Sequence, residues 1–287
     1  MTRINARRGS RGFTLLEVLI GMIIFAIIGA LLTQLLSTQG RFFDKQGMAN
    51  AARNVSRGAL NRVVSDFRMI ETSGGVLAAS PTSITLRIPF AIGVVCSSNN
   101  ASTAVSMLPV DSVIYNAEGF YGYAWRNAIT GAYTYVENPA AHDKTTGQNA
   151  CNAVQITTLP EGRAARITPV VAGSSLGTPV FLYRRIRYAF QPSIAVPGKI
   201  GLFRAVIFPD GTQKSEELVA PFSSTSRFRF FVVGNNDAAQ DAPPGNLNAI
   251  RGLELHLDGA SEVIAAGESA VESAPFTTAV FFKNRSN

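Results

Sequence analysis

From Phe13 to Leu36 the chain carries an apolar run in which Glu17 is the one carboxylate, and no strongly polar side chain occurs between Val18 and Leu32. As a helix rising 1.5 Å per residue, this segment extends roughly 36 Å, enough to cross a bilayer. A segment apolar on every face cannot be one side of a small soluble core, so the chain has to be partitioned around it. Arg3, Arg7, Arg8 and Arg11 precede it, which places the N-terminus in the cytoplasm and everything after about Gly40 outside. No small-residue cleavage site follows the run at 37–42, as an ordinary secretory signal would require. A plain signal anchor satisfies these features.

Glu17 asks for more than an anchor. A carboxylate that deep in an apolar segment is costly and needs a partner, unless it lies at the headgroup boundary by the helix N-terminus. Cleavage between Gly12 and Phe13 would create a cation close to it, the new α-amino group of Phe13. The stretch Gly12-Phe13-Thr14-Leu15-Leu16-Glu17-Val18, followed by the apolar run, resembles the class III signal of type IV pilins and type II secretion pseudopilins. The resemblance covers about Arg11 to Leu36. It implies cutting by a prepilin peptidase after Gly12, methylation of the Phe13 amine, and pairing of Glu17 with that amine during assembly with other pilin-like subunits. It also implies residence in the inner membrane before entry into a pilus or pseudopilus.

Charge adds little to this picture. The formal charge is +7, of which the four leader arginines leave +3 on a processed chain. That balance argues weakly for nucleic acid. Cys96 and Cys151 are the two cysteines and both fall in the part expected outside. An even pair in an oxidising compartment reads as one disulfide, with two free thiols as the alternative.

Beyond the apolar run a helical pattern continues through Val55, Ala59, Leu60, Val63, Phe67 and Ile70, with Arg53, Arg57, Asn61, Arg62, Ser65 and Arg68 on the other faces. Gly74-Gly75 is expected to end it, and Gly40 and Gly47 to weaken its middle. After residue 75 short runs rich in Val, Ile, Phe, Tyr and Thr alternate with Pro, Gly and Ser. Ile84–Ile88 and parts of Phe181–Phe190 alternate in polarity. Leu202–Phe208, Asp210-Gly211 and Glu216–Val219 read as a hairpin, and Arg227–Val233, Ile250–Leu257 and Thr277–Phe282 as further strands. Glu137–Asn149 and Gly234–Asn248 read as long loops. The expected fold is α+β: leader 1–12, membrane or filament-core helix 13–36, amphipathic continuation 37–73, and a largely antiparallel β head 74–287 covered by that continuation.

The head offers no convergent catalytic set. His142 reads as a loop residue and His256 as one face of a strand; neither makes a metal site with the separated cysteines, and no metal or cofactor is expected. Asn235, Asn236, Asp237 and Asp241 are oxygen donors without the spacing of a calcium loop. The aromatic stretch from Tyr115 to Tyr135, with Trp125, reads as strand packing rather than a binding surface. Arg184, Arg185 and Arg187 are expected in cross-strand ion pairs rather than on phosphates. The functional expectation is a structural subunit and not an enzyme. An anchored adhesive or DNA-binding module displayed at the cell surface is the alternative. A second, looser resemblance places Leu60–Met69 near the L-x-x-D-L-R-M pattern of the minor pilin W and pseudopilin J families, which implies a tip or priming complex. The proline that many such proteins carry in the membrane half is absent.

Overall fold

The computed structural model describes residues 14–71, 73–99, 101–111, 120–127, 131–137, 141–143, 151, 163–235 and 238–282. Gly12, Phe13, the leader arginines, Tyr115, Asn236 and Asp237 lie outside these residues. Helix α1 spans Leu15–Arg68 without interruption, 54 residues and about 81 Å. Gly40 and Gly47 do not break it. Each glycine costs about 1 kcal/mol of helix propensity against alanine, a local penalty that the flanking helix formers outweigh.

The helix has two halves of different character. Leu15 to Gly40 is exposed on almost every face. Further along, Ala52, Ser56, Ala59, Val63 and Phe67 form one buried stripe at three- and four-residue spacing. The stripe is small at its start and large at its end, so the helix approaches the sheet most closely near Ser56. There the Ser56 hydroxyl donates to the carbonyls of Leu257 and Ala274 and accepts the Gly259 amide at 2.9 Å. A Cβ on Gly259 would drive into the Ala52 carbonyl and the Ser56 hydroxyl. Only glycine permits that approach.

The helix ends at Arg68, five residues before the expected stop. The amides of Met69 and Ile70 turn back to the carbonyls of Asp66 and Phe67, and Ile70 is pulled fully into the core. Gly74 serves the loop instead: its φ is +79°, and a Cβ there would lie 2.6 Å from the Tyr135 ring.

The head is one antiparallel sheet. Its described strands are β1 (Val76–Ser80), β2 (Ser83–Ser98), β3 (Thr103–Met107), β4 (Gly122–Arg126), β5 (Tyr133–Glu137), β6 (Ala141–Asp143), β7 (Arg163–Thr168), β8 (Pro179–Pro192), β9 (Ile200–Ile207), β10 (Gln213–Phe222), β11 (Arg227–Val232), β12 (Ile250–Ile264) and β13 (Val271–Phe281). The main path runs β11-β12-β10-β9-β8-β2-β3-β7-β6, with β1, β13 and the β4–β5 pair attached to it. The Asp210-Gly211 turn joins β9 to β10, with Gly211 at φ +84°. Pro89, which cannot donate to the ladder, sits where the β2–β8 register shifts.

The helix packs on β12, β13 and β10. Val63 and Phe67 join Ile84, Leu86, Ile88, Ile186, Tyr188, Phe190 and Leu253 in the principal core. Phe67 meets Tyr188 edge to face at 5.2 Å. A second core holds Val95, Val105, Tyr123, Trp125 and Leu182. Two expectations need correction. The region 137–149 is not all loop, since β6 pairs with β7 inside it and carries His142 opposite Ile167. The strand containing Ile250–Leu257 runs on to Ile264 and forms with β13 a long hairpin whose turn reaches Arg41 on the helix. Both follow from backbone pairing between segments whose own side-chain patterns are weak.

Candidate functional site

The site begins at the first helical turn. Thr14 is the N-cap, and its hydroxyl accepts the Glu17 amide at 3.2 Å. The Glu17 carboxylate reaches back to the Thr14 amide at 2.9 Å and to its hydroxyl at 3.0 Å. This is a capping box, in which two otherwise unpaired helix donors are satisfied reciprocally. Within one chain Glu17 therefore has a local role, and its side chain stays exposed with acceptor capacity to spare. A carboxylate also suits the positive end of the helix dipole.

Cys96 on β2 and Cys151 are joined by a disulfide, with Cα atoms 5.4 Å apart and both side chains fully buried. The bridge closes a separation of 55 residues and ties Cys151 to the central part of the sheet.

At the other end of the helix, the Asp66 carboxylate accepts the Tyr188 hydroxyl and lies 3.6 Å from the Arg204 guanidinium. Below it Arg87 packs 4.5 Å from the Tyr135 ring centre, pairs with Glu137 and donates to the Gly74 carbonyl. These contacts fasten the helix and its exit loop to the sheet; nothing in them activates a nucleophile.

The other candidates are brought into structural roles. Tyr123 and Trp125 stack at 5.8 Å inside the second core. Arg184 stacks on Phe90 at 4.4 Å, and Arg185 donates to the Tyr121 hydroxyl at 2.9 Å. Aromatic faces, rather than the expected cross-strand acids, receive these two guanidinium groups. Asp241 lies 2.8 Å from Arg229, whose hydrogen bond is the main cause that holds its carboxyl below the usual range, and 3.1 Å from Arg227, which adds to it. His256 lies on β12 with Nδ1 3.0 Å from the Thr277 hydroxyl. Among the described residues no group of three or more His, Cys, Asp or Glu side chains is placed to hold a metal ion. The hairpin contact at Arg41 and Lys45 was missed in the sequence, because only the length of β12 and β13 reveals it.

Comparison with known proteins bears on the N-terminal end. Residues 7–33 match the family model described as the prokaryotic N-terminal methylation motif, the type IV pilin-like signal. No curated protein matches the chain, and no solved structure does. The match ends inside α1, and the head lies beyond it. The exposed apolar helix and the motif are together compatible with a membrane-anchored pilin-like chain.

Proposed function

We propose that the chain is a structural subunit of a type IV pilus-like or type II secretion filament. It is held in the inner membrane by α1 with its N-terminus in the cytoplasm, and is processed by a prepilin peptidase between Gly12 and Phe13. The observation that carries this reading is the overlap of the methylation motif at 7–33 with a helix that stands exposed from Leu15 to Gly40. A helix apolar on all sides needs lipid or other helices around it, and a filament of like subunits supplies the latter. Glu17 would then exchange part of its capping bond for the Phe13 amine of its own or a neighbouring chain. The large head and the Leu60–Met69 segment, in which Asp66 faces Tyr188 and Arg204, favour a minor subunit of the W or J type in a tip or priming complex.

The test is mass spectrometry of the N-terminus from isolated membranes, with and without an active prepilin peptidase. A chain beginning at a methylated Phe13 only when the peptidase is active supports the filament reading. A chain beginning at Met1 in both overturns it and leaves a signal-anchored β domain.

A further inference from the structure

We infer that the turn of the β12–β13 hairpin, together with Arg41, Phe42 and Phe43, forms a collar that rests in the headgroup layer of the outer leaflet; the partner is a phospholipid surface. The inference depends on α1 spanning the membrane. Val18 to Leu36 supplies about 28 Å of helix, close to the roughly 30 Å hydrocarbon thickness of a bilayer. Arg41 then stands about 7.5 Å beyond Leu36, where the headgroup layer, about 5–7 Å deep on each side, gives way to water.

The hairpin turn reaches that level. A Cβ on Gly267 would lie 3.5 Å from the Arg41 side chain, and Lys45 one turn later binds Glu268 at 2.9 Å and faces Glu272 at 3.7 Å. The head is thus held down the helix to the membrane boundary.

The surface presented there is of the wrong kind for bulk water. Phe42 and Phe43 are 56% and 66% exposed, and Val263 and Ile264 beside the turn are 57% and 52% exposed. These four apolar side chains come from two elements more than 200 residues apart in sequence: Phe42 and Phe43 follow Arg41 on the helix, and Val263 and Ile264 precede Gly267, the residue set beside Arg41. Aromatic and aliphatic groups beside basic ones are the chemistry of an interfacial anchor: the apolar groups lie at headgroup level and the guanidinium meets phosphate. Lys45 is held by the hairpin acids, so Arg41 is the cation that faces lipid.

The test uses the full chain in phosphatidylcholine–phosphatidylglycerol vesicles. Single cysteines are introduced by Val263→Cys, Ile264→Cys, Phe25→Cys and Gln213→Cys and labelled without reductant, so that the native disulfide stays closed. A fluorophore at each position is then challenged with lipids carrying a nitroxide on the headgroup or deep in the acyl chain. The expected result is loss of emission at 263 and 264 to the headgroup nitroxide, loss at 25 to the deep nitroxide, and no loss at 213. Loss at 25 with none at 263 or 264 overturns the collar and leaves the span standing. No loss at 25 overturns the span, and the collar with it.

Discussion

Asp66, at the end of the long helix, accepts a hydrogen bond from the buried Tyr188 hydroxyl on β8, across 122 residues of sequence. The same carboxylate lies 3.6 Å from Arg204 on β9, so one acid ties the helix to two strands. Burial, and then the Asp66 charge, push the Tyr188 phenol well above its ordinary range, so it stays protonated, donating to Asp66 while accepting from the Arg204 guanidinium at 3.3 Å. Removing Asp66 takes the acceptor from a buried hydroxyl and leaves Arg204 with the more distant Glu216 carboxylate at 3.8 Å. Asp66→Ala is expected to cost about 2–3 kcal/mol, and Tyr188→Phe about 1 kcal/mol, in denaturant unfolding of the detergent-solubilised chain. Equal small effects from both would show that the link does not hold the helix.

Gly259 tests the closest approach of helix to sheet. Gly259→Ala should destabilise by about 1–3 kcal/mol, because the methyl group meets backbone that cannot yield without lifting α1. Gly245→Ala, with open space around the added methyl, serves as the control and should change little. Thermal unfolding of the two variants compares them directly.

The disulfide closes a loop of 55 residues. By loop entropy its removal should cost about 4 kcal/mol. Cys96→Ala with Cys151→Ala is the cleanest form, read by denaturant midpoint. Thiols that label readily in the unreduced wild-type chain would refute the bridge itself.

Alkaline stability follows from the tyrosines. Burial pushes Tyr123 up to about 12, and burial with the Glu71 charge pushes Tyr133 up to about 12, against an ordinary value of 10.0. Above pH 10 the unfolded chain therefore holds fewer protons on these phenols than the folded one. Stability should fall as pH rises from 10 to about 12, and these groups give no pH dependence below that window. Tyrosinate absorbance and unfolding monitored together would show these groups ionising late, or coincident with unfolding. Ionisation near pH 10 in a folded chain would contradict their burial.

Glu17 separates anchoring from assembly. Glu17→Val removes the carboxylate from the capping box and from any subunit amine. The variant should insert and be processed, yet its recovery in sheared filaments should drop about tenfold or more, since a difference of 1.4 kcal/mol suffices for tenfold. Normal recovery would confine Glu17 to its capping role with Thr14.

The sequence made these features unequally legible. Ile84, Leu86 and Ile88, and Ile186, Tyr188 and Phe190, alternate because each strand buries one face in the core that α1 joins, and a two-residue period survives in any reading. Asp210-Gly211 announced its turn through the positive φ it needs. The early end of α1 was hidden because Ile70 keeps the helical spacing while leaving the helix. β6 was hidden because its ladder with β7 is made by backbone groups, which carry no residue signature. Arg184 and Arg185 misled because their aromatic partners, Phe90 and Tyr121, come from distant parts of the chain. At the N-terminus the signal was dense in adjacent residues, and there sequence reached furthest.

The fit of Ser56 against Gly259 makes α1 a measuring rod. Sliding the helix by one turn would bring Leu60 or Ala52 to Gly259; Leu60 cannot occupy a gap that already excludes a methyl group, and Ala52 has no hydroxyl to accept the buried Gly259 amide. The head is therefore clamped at one graduation, and the distance and bearing from head to Glu17 are set by residue count alone. Each residue inserted between Gly47 and Ala51 would lengthen the rod by about 1.5 Å and swing Glu17 about 100° around the axis. A spacer of seven residues, close to two full turns, would nearly restore the bearing while displacing the head by about 10 Å.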